Sequence, residues 1–76
     1  MKTMKDLLNS TVEKWKYAAM DKRGAWYAYT DKPYPGDELW VTDGGDMVLL
    51  GYQEKLEDLF GIQPCLENWD NTLVER

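Results

Sequence analysis

The chain predicts an α+β fold: a four-stranded, mainly antiparallel sheet of two β-hairpins, with an N-terminal helix and a short helix after the last strand. Three observations predict it. Aromatic residues concentrate between Trp15 and Tyr52, a stretch that holds three of the four Trp and all five Tyr. Two turn signals, Asp21-Lys22-Arg23-Gly24 and Gly44-Gly45, divide that stretch into strand-length runs. Apolar residues at helical spacing flank it on both sides.

Residues 3–14 read as the first helix. Met4, Leu7, Leu8 and Val12 form its apolar stripe, and Trp15 continues it. Thr3 and Asp6 have the spacing of a capping box. Asn9-Ser10-Thr11 are weak helix formers and mark an early stop.

The first hairpin turns at residues 21–24. Asp21 supplies a short polar acceptor and Gly24 a positive φ, as in a three-residue loop closed by a bulge. That loop pairs Met20 with Trp26, Ala19 with Tyr27, Ala18 with Ala28, and Tyr17 with Tyr29. Side chains alternate across a strand, so Trp15, Tyr17, Ala19, Tyr27 and Tyr29 are expected on one face. Lys16, Ala18, Met20, Trp26, Ala28 and Thr30 are expected on the other. Neither face is polar. One must meet the core, and the other meets a helix or a partner.

The second hairpin is expected to turn at Gly44-Gly45, pairing Val41 with Val48, Leu39 with Leu50 and Trp40 with Leu49. Drawn this way, Asp43 opposes Asp46, an unfavourable like-charge pair. Between the hairpins, Pro33 and Pro35 hold Tyr34 in a stiff, extended loop. Tyr34 then either folds back as a lid on the sheet, the favoured alternative, or points outward as a contact residue. Residues 53–60 read as the short second helix, with Leu56, Leu59 and Phe60 as its stripe and Gly61 as a Schellman end. In residues 62–76, Leu66, Trp69 and Leu73 are helically spaced among poor helix formers, and Trp69 suggests a tail docked on the domain.

Seventy-six residues make one domain, 1–76, which buries only about 60% of its unfolded surface. The single cysteine, Cys65, excludes an intramolecular disulfide and fits a reducing cytoplasm. No apolar run reaches membrane-spanning length, and no signal peptide is evident, so the expected location is cytoplasmic with no membrane partner. Nine basic residues against fourteen acidic ones give a net charge of −5, which repels nucleic-acid phosphates.

The chain has no histidine, which removes the usual general base, the usual metal ligand and most catalytic triads. Cys65 has no histidine to activate it, and no glycine-rich phosphate loop precedes a helix. Asp43 and Asp46 fall short of a calcium loop, which needs more oxygens at fixed spacing. The expectation is a non-enzyme without a cofactor.

Trp15, Lys16, Ala18, Ala19, Asp21, Gly24 and Trp26 spell a Trp-Lys-x-Ala-Ala-x-Asp-x-x-Gly-x-Trp hairpin. Pro33, Trp40 and a late Trp69-x-x-x-Leu73-x-x-Arg76 follow it. In this pattern the chain resembles a group of small bacteriophage proteins of unassigned function. The resemblance implies a phage origin and no particular reaction; small acidic phage proteins commonly bind host proteins.

The lead expectation is therefore a non-catalytic phage accessory protein that binds and inhibits a host protein with a basic surface, plausibly an antiviral defence component. Its contact residues would be Trp15, Tyr17, Tyr27, Tyr29 and Tyr34, with Asp37 and Glu38 at the acidic rim. A second expectation is an oligomeric sponge for signalling nucleotides. There aromatics would stack on the base and Lys16, Lys22, Arg23 or Lys32 would meet phosphate. A third is an acidic DNA mimic, for which −5 is a thin charge.

Overall fold

The structure is a computed structural model and describes residues 2–76. Helix α1 (Met4–Asn9) is followed by strands β1 (Tyr17–Met20), β2 (Ala25–Tyr29), β3 (Tyr34–Pro35), β4 (Trp40–Val41) and β5 (Met47–Tyr52). Helix α2 (Gln53–Phe60), a 3-10 turn (Trp69–Asn71) and strand β6 (Val74–Glu75) complete the described elements. The main sheet is antiparallel in the order β5-β2-β1-β6, and β3 pairs with β4 in a separate small sheet.

The caps explain the helix limits. Thr3 Oγ1 accepts from the Asp6 amide at 3.2 Å while the Asp6 carboxylate accepts from the Thr3 amide at 2.9 Å, the expected capping box. The Thr3 amide, then the Thr3 hydroxyl, holds the Asp6 carboxyl below its ordinary pKa. The helix ends at Asn9 rather than running to residue 14, because Ser10 Oγ and Thr11 Oγ1 turn back onto the Leu7 and Leu8 carbonyls, both at 2.7 Å. Gly61 closes α2 with φ of 68°, but as an αL end instead of the expected Schellman end: the Gly61 amide donates to Glu57 O at 3.1 Å, and Ile62 N reaches Leu56 O, not the Glu57 carbonyl that a Schellman end would use.

The first hairpin forms in the expected register, Tyr17↔Tyr29 through Met20↔Trp26. Asp21 is buried at the turn, where its Oδ1 accepts from the amides of Arg23 and Ala25 at 2.8 and 3.1 Å. Gly24 takes the positive φ that closes the loop, 88°.

The second hairpin does not form as the sequence suggests. Val41 pairs with Tyr34, and β5 leaves β4 to pair with β2, from Tyr29↔Met47 to Ala25↔Tyr52. The reason is backbone satisfaction. β2 is the most deeply buried strand, so amides on both of its sides need partners, and β1 supplies only one side. Thr30 directs the switch: its amide donates to Asp46 O at 3.1 Å, and its Oγ1 accepts from the Asp46 amide at 2.9 Å. The Asp43–Asp46 opposition disappears as a result. Asp43 accepts from Tyr34, and Asp46 pairs with Lys14 at 3.1 Å. A bulge interrupts the β2–β5 ladder, where Trp26 faces Gly51 and Tyr27 faces Leu49, leaving Leu50 unpaired.

Both faces of the sheet are covered, which accounts for a hairpin with no polar face. One face packs Ala18, Trp26 and Ala28 against Met4, Leu8, Leu56 and Ile62 of the helical layer. On the other face Ala19 and Tyr29 meet Trp40, with Trp69 and Leu73 packed against them. Trp15 departs from its expected face. It precedes β1 and packs on the helical cluster, away from Tyr17 and Tyr27.

The C-terminal segment ties these layers together. Trp40 Nε1 donates to the Met20 and Trp69 carbonyls at 2.9 and 3.2 Å, and the Trp40 and Trp69 rings meet edge to face. Arg76 sends its guanidinium to the carbonyls of Asn9, Val12 and Trp15, at 3.2, 2.8 and 3.3 Å. Those carbonyls lie at and beyond the end of α1, where a cation is electrostatically favoured. No helix among the described residues is long and apolar enough to cross a membrane.

Candidate partner-binding surface

The cross-strand registers build one row of side chains from Glu75, Tyr17, Tyr29 and Met47, and a second from Ala19, Tyr27 and Leu49. Trp40, Trp69 and Leu73 cover only part of this face. Tyr17 and Tyr27 stay half-buried, and Met47 and Leu49 are about half exposed. The uncovered part thus comprises Tyr17, Tyr27, Met47 and Leu49, with Glu75 beyond Tyr17 and the buried Ala19 and Tyr29 in the same two rows.

Of the expected contact residues Tyr29 is buried, and Trp15 packs half-buried on the helical cluster. Tyr29 retains only 2% of its exposure under Trp40, and burial, then the neighbouring Tyr27 and Asp21, push its phenol up to about 12. Trp15 belongs to the helical layer described above. Tyr29 serves the core and Trp15 flanks it, because the C-terminal segment and the helices each take one face of the hairpin.

Tyr34 points outward, contrary to the favoured lid. It is 48% exposed, and its hydroxyl donates to Asp43 Oδ1 at 3.1 Å. That bond, then the Asp43 charge, raises its pKa. The lid fails because β3 pairs with β4, and Trp40 rather than Tyr34 fills the space over Tyr29. Asp37 and Glu38 are exposed in the turn between β3 and β4, and Glu38 O receives the Lys22 amide at 3.0 Å. Tyr34, Asp37 and Glu38 therefore sit on the small sheet that lies over the aromatic face.

Met47 and Leu49 are the contact candidates that sequence reasoning missed. Pairing β5 with β4 made Leu49 a partner of Trp40 and hid both from view. The signal was present nonetheless: no charge occurs between Asp46 and Glu54.

Of the cations invoked for a phosphate site, Lys16 lines a different cleft from Lys22 and Arg23. Lys16 lines a cleft with Glu13, Tyr17 and Glu75, before β1. Lys22 and Arg23 occupy the hairpin turn after β1, beside Glu38 and Leu39. An apolar concavity of about 570 Å³ lies between the helices and the 62–74 segment, lined by Met4, Trp26, Ile62, Leu66 and Leu73. At its floor Trp26 Nε1 donates to Gln53 Oε1 at 2.6 Å. Cys65, half-buried at its wall, donates weakly to Glu67 O at 3.7 Å. Comparison with protein-family models, with curated proteins and with solved structures finds no match to this chain.

Proposed function

We propose that this chain is a non-catalytic phage accessory protein that binds and inhibits a host protein through the uncovered part of its sheet face. The observation that carries the reading is this surface itself: Tyr17, Tyr27, Met47 and Leu49 share one sheet face and remain partly open to solvent. Exposed apolar surface edged by polar groups marks contact sites, and tyrosines suit them because their tips stay wet while their rings are buried. The outward Tyr34 adds a ring on a backbone stiffened by two prolines, so little ordering entropy is lost on binding. Asp37, Glu38 and the net charge of −5 favour a partner with a basic surface. The resemblance to phage proteins supplies the host context.

The test is affinity for a protein captured from host lysate, compared between wild type and the Tyr34→Ala and Tyr17→Ala variants, with melting curves as the folding control. Tyr34→Ala is expected to fold within about 0.5 kcal/mol of wild type, as ordinary surface changes do. It is expected to weaken the complex by about 2 kcal/mol, as a hot-spot residue does. Affinity should also fall with added salt. Unchanged affinity in both variants, or insensitivity to salt, would count against this surface.

A further inference from the structure

The main sheet ends in two unlike edges. β6 is two residues long and carries Glu75. Short, charged edges resist further pairing. β5 is six residues long and contains neither a charge nor a proline. β2 is its only sheet neighbour. Along it Met47, Val48, Leu49 and Tyr52 are 51, 40, 49 and 49% exposed, on both faces of the sheet. Successive residues in an antiparallel ladder turn their backbone groups to alternate sides. Asp46 O accepts from Thr30 N, so Asp46 faces β2 while Met47 and Leu49 turn their amides and carbonyls outward.

We propose that β5 pairs antiparallel with β5 of a second copy, about a two-fold axis near Val48 and Leu49, joining two main sheets into one. Two observations choose a second copy as the occupant. The other edge is short and charged, so the pairing closes as an isologous dimer instead of propagating as a fibre. The strand itself carries no charge, and Asp46 at its start is already paired with Lys14, so antiparallel pairing of two copies sets no like charges against each other within the ladder. The exposed side chains of Met47, Val48, Leu49 and Tyr52, with Leu59 and Phe60 of the helix that follows, total on the order of 600 Å² per copy, below the ~800 Å² per partner of a standard interface, so a weak dimer is expected. The inference does not rest on the host-binding reading, although Met47 and Leu49 figure in both.

The test is the solution mass of the intact protein from low to high micromolar concentration, by light scattering and sedimentation. The mass should rise from the 8.9 kDa of one chain toward twice that value. Leu49→Lys puts a charge on the exposed edge and should hold the protein monomeric with an unchanged circular dichroism spectrum. If that variant fails to fold, Met47→Lys at the neighbouring exposed position provides the same reading. Hydrogen exchange at the Met47 and Leu49 amides should slow with concentration. A wild type that stays monomeric throughout, as it would if the edge served only a foreign strand, overturns the proposal. So does a dimer that survives Leu49→Lys or leaves those amides exchanging freely.

Discussion

Trp40 offers the sharpest test of how the layers are joined. Its ring is 4% exposed, and its Nε1 donates to the Met20 and Trp69 carbonyls. Thr72 serves the same two carbonyls: its Oγ1 lies 3.2 Å from Met20 O and 2.7 Å from Trp69 O, while accepting from the Met20 amide at 2.9 Å. Either side chain can therefore partly cover for the other. Trp40→Phe removes one donor and some ring area, about 1 kcal/mol each, for a loss of about 2 kcal/mol. Thr72→Val leaves the Met20 amide unpaired in a buried site and costs about 1–3 kcal/mol. In the double variant both carbonyls lose their side-chain donors together. The loss should exceed the sum of the singles by about 1 kcal/mol, a coupling typical of residues in one network. Urea melts followed by circular dichroism on the four proteins measure it, and unchanged m-values confirm that the comparison is sound. Strict additivity, or a Trp40→Phe variant as stable as wild type, would refute the view that Trp40 and Thr72 share the task of fastening the C-terminal segment to the sheet.

Two further expectations follow from single residues. The Tyr29 phenol, raised to about 12 in the fold, contributes stability present below pH 10 and lost as pH rises from 10 to 12, because the unfolded chain ionises first. The loss is about 2–3 kcal/mol, so alkaline melts of wild type should fall more steeply over that window than those of Tyr29→Phe; parallel curves would contradict the burial of this group. Arg76→Ala should cost about 2 kcal/mol, since it strips charged donors from the Asn9, Val12 and Trp15 carbonyls. Arg76→Lys should recover less than half, because a single ammonium cannot span three carbonyls, and full recovery in a thermal melt would show that charge alone matters.

Local signals in the sequence carried far, and long-range choice did not. The Thr3–Asp6 box, the Asp21–Gly24 turn with its register, and the Gly61 end each depend on residues within a few positions of one another. The pairing of β5 does not. Gly44-Gly45 is a good hairpin signal, and only the burial of β2, together with Thr30, makes a different neighbour better. Nothing near Val48 in sequence announces that it lies beside Ala28. The same holds for Trp15 and Tyr29. Strand alternation placed them on one face, but which layer covers each residue depends on where Trp40, Trp69 and the helices come to rest.

This difference bears on what the resemblance to phage proteins can mean. The residues that carry it are largely spent on the fold. Asp21 and Gly24 make the turn, Ala18, Ala19, Trp26 and Trp40 are buried, Trp69 meets Trp40, and Arg76 binds the carbonyls beyond α1. A pattern made of such residues specifies an architecture and does not by itself specify a contact surface. Tyr17, Tyr27, Tyr34, Met47 and Leu49 all fall outside the pattern, and each is at least partly open to solvent. Proteins that shared the pattern would then share the hairpin and the docked C-terminal segment. On the reading proposed above, contact with a partner would fall to these open residues, and the buried residues of the pattern would hold the sheet that presents them.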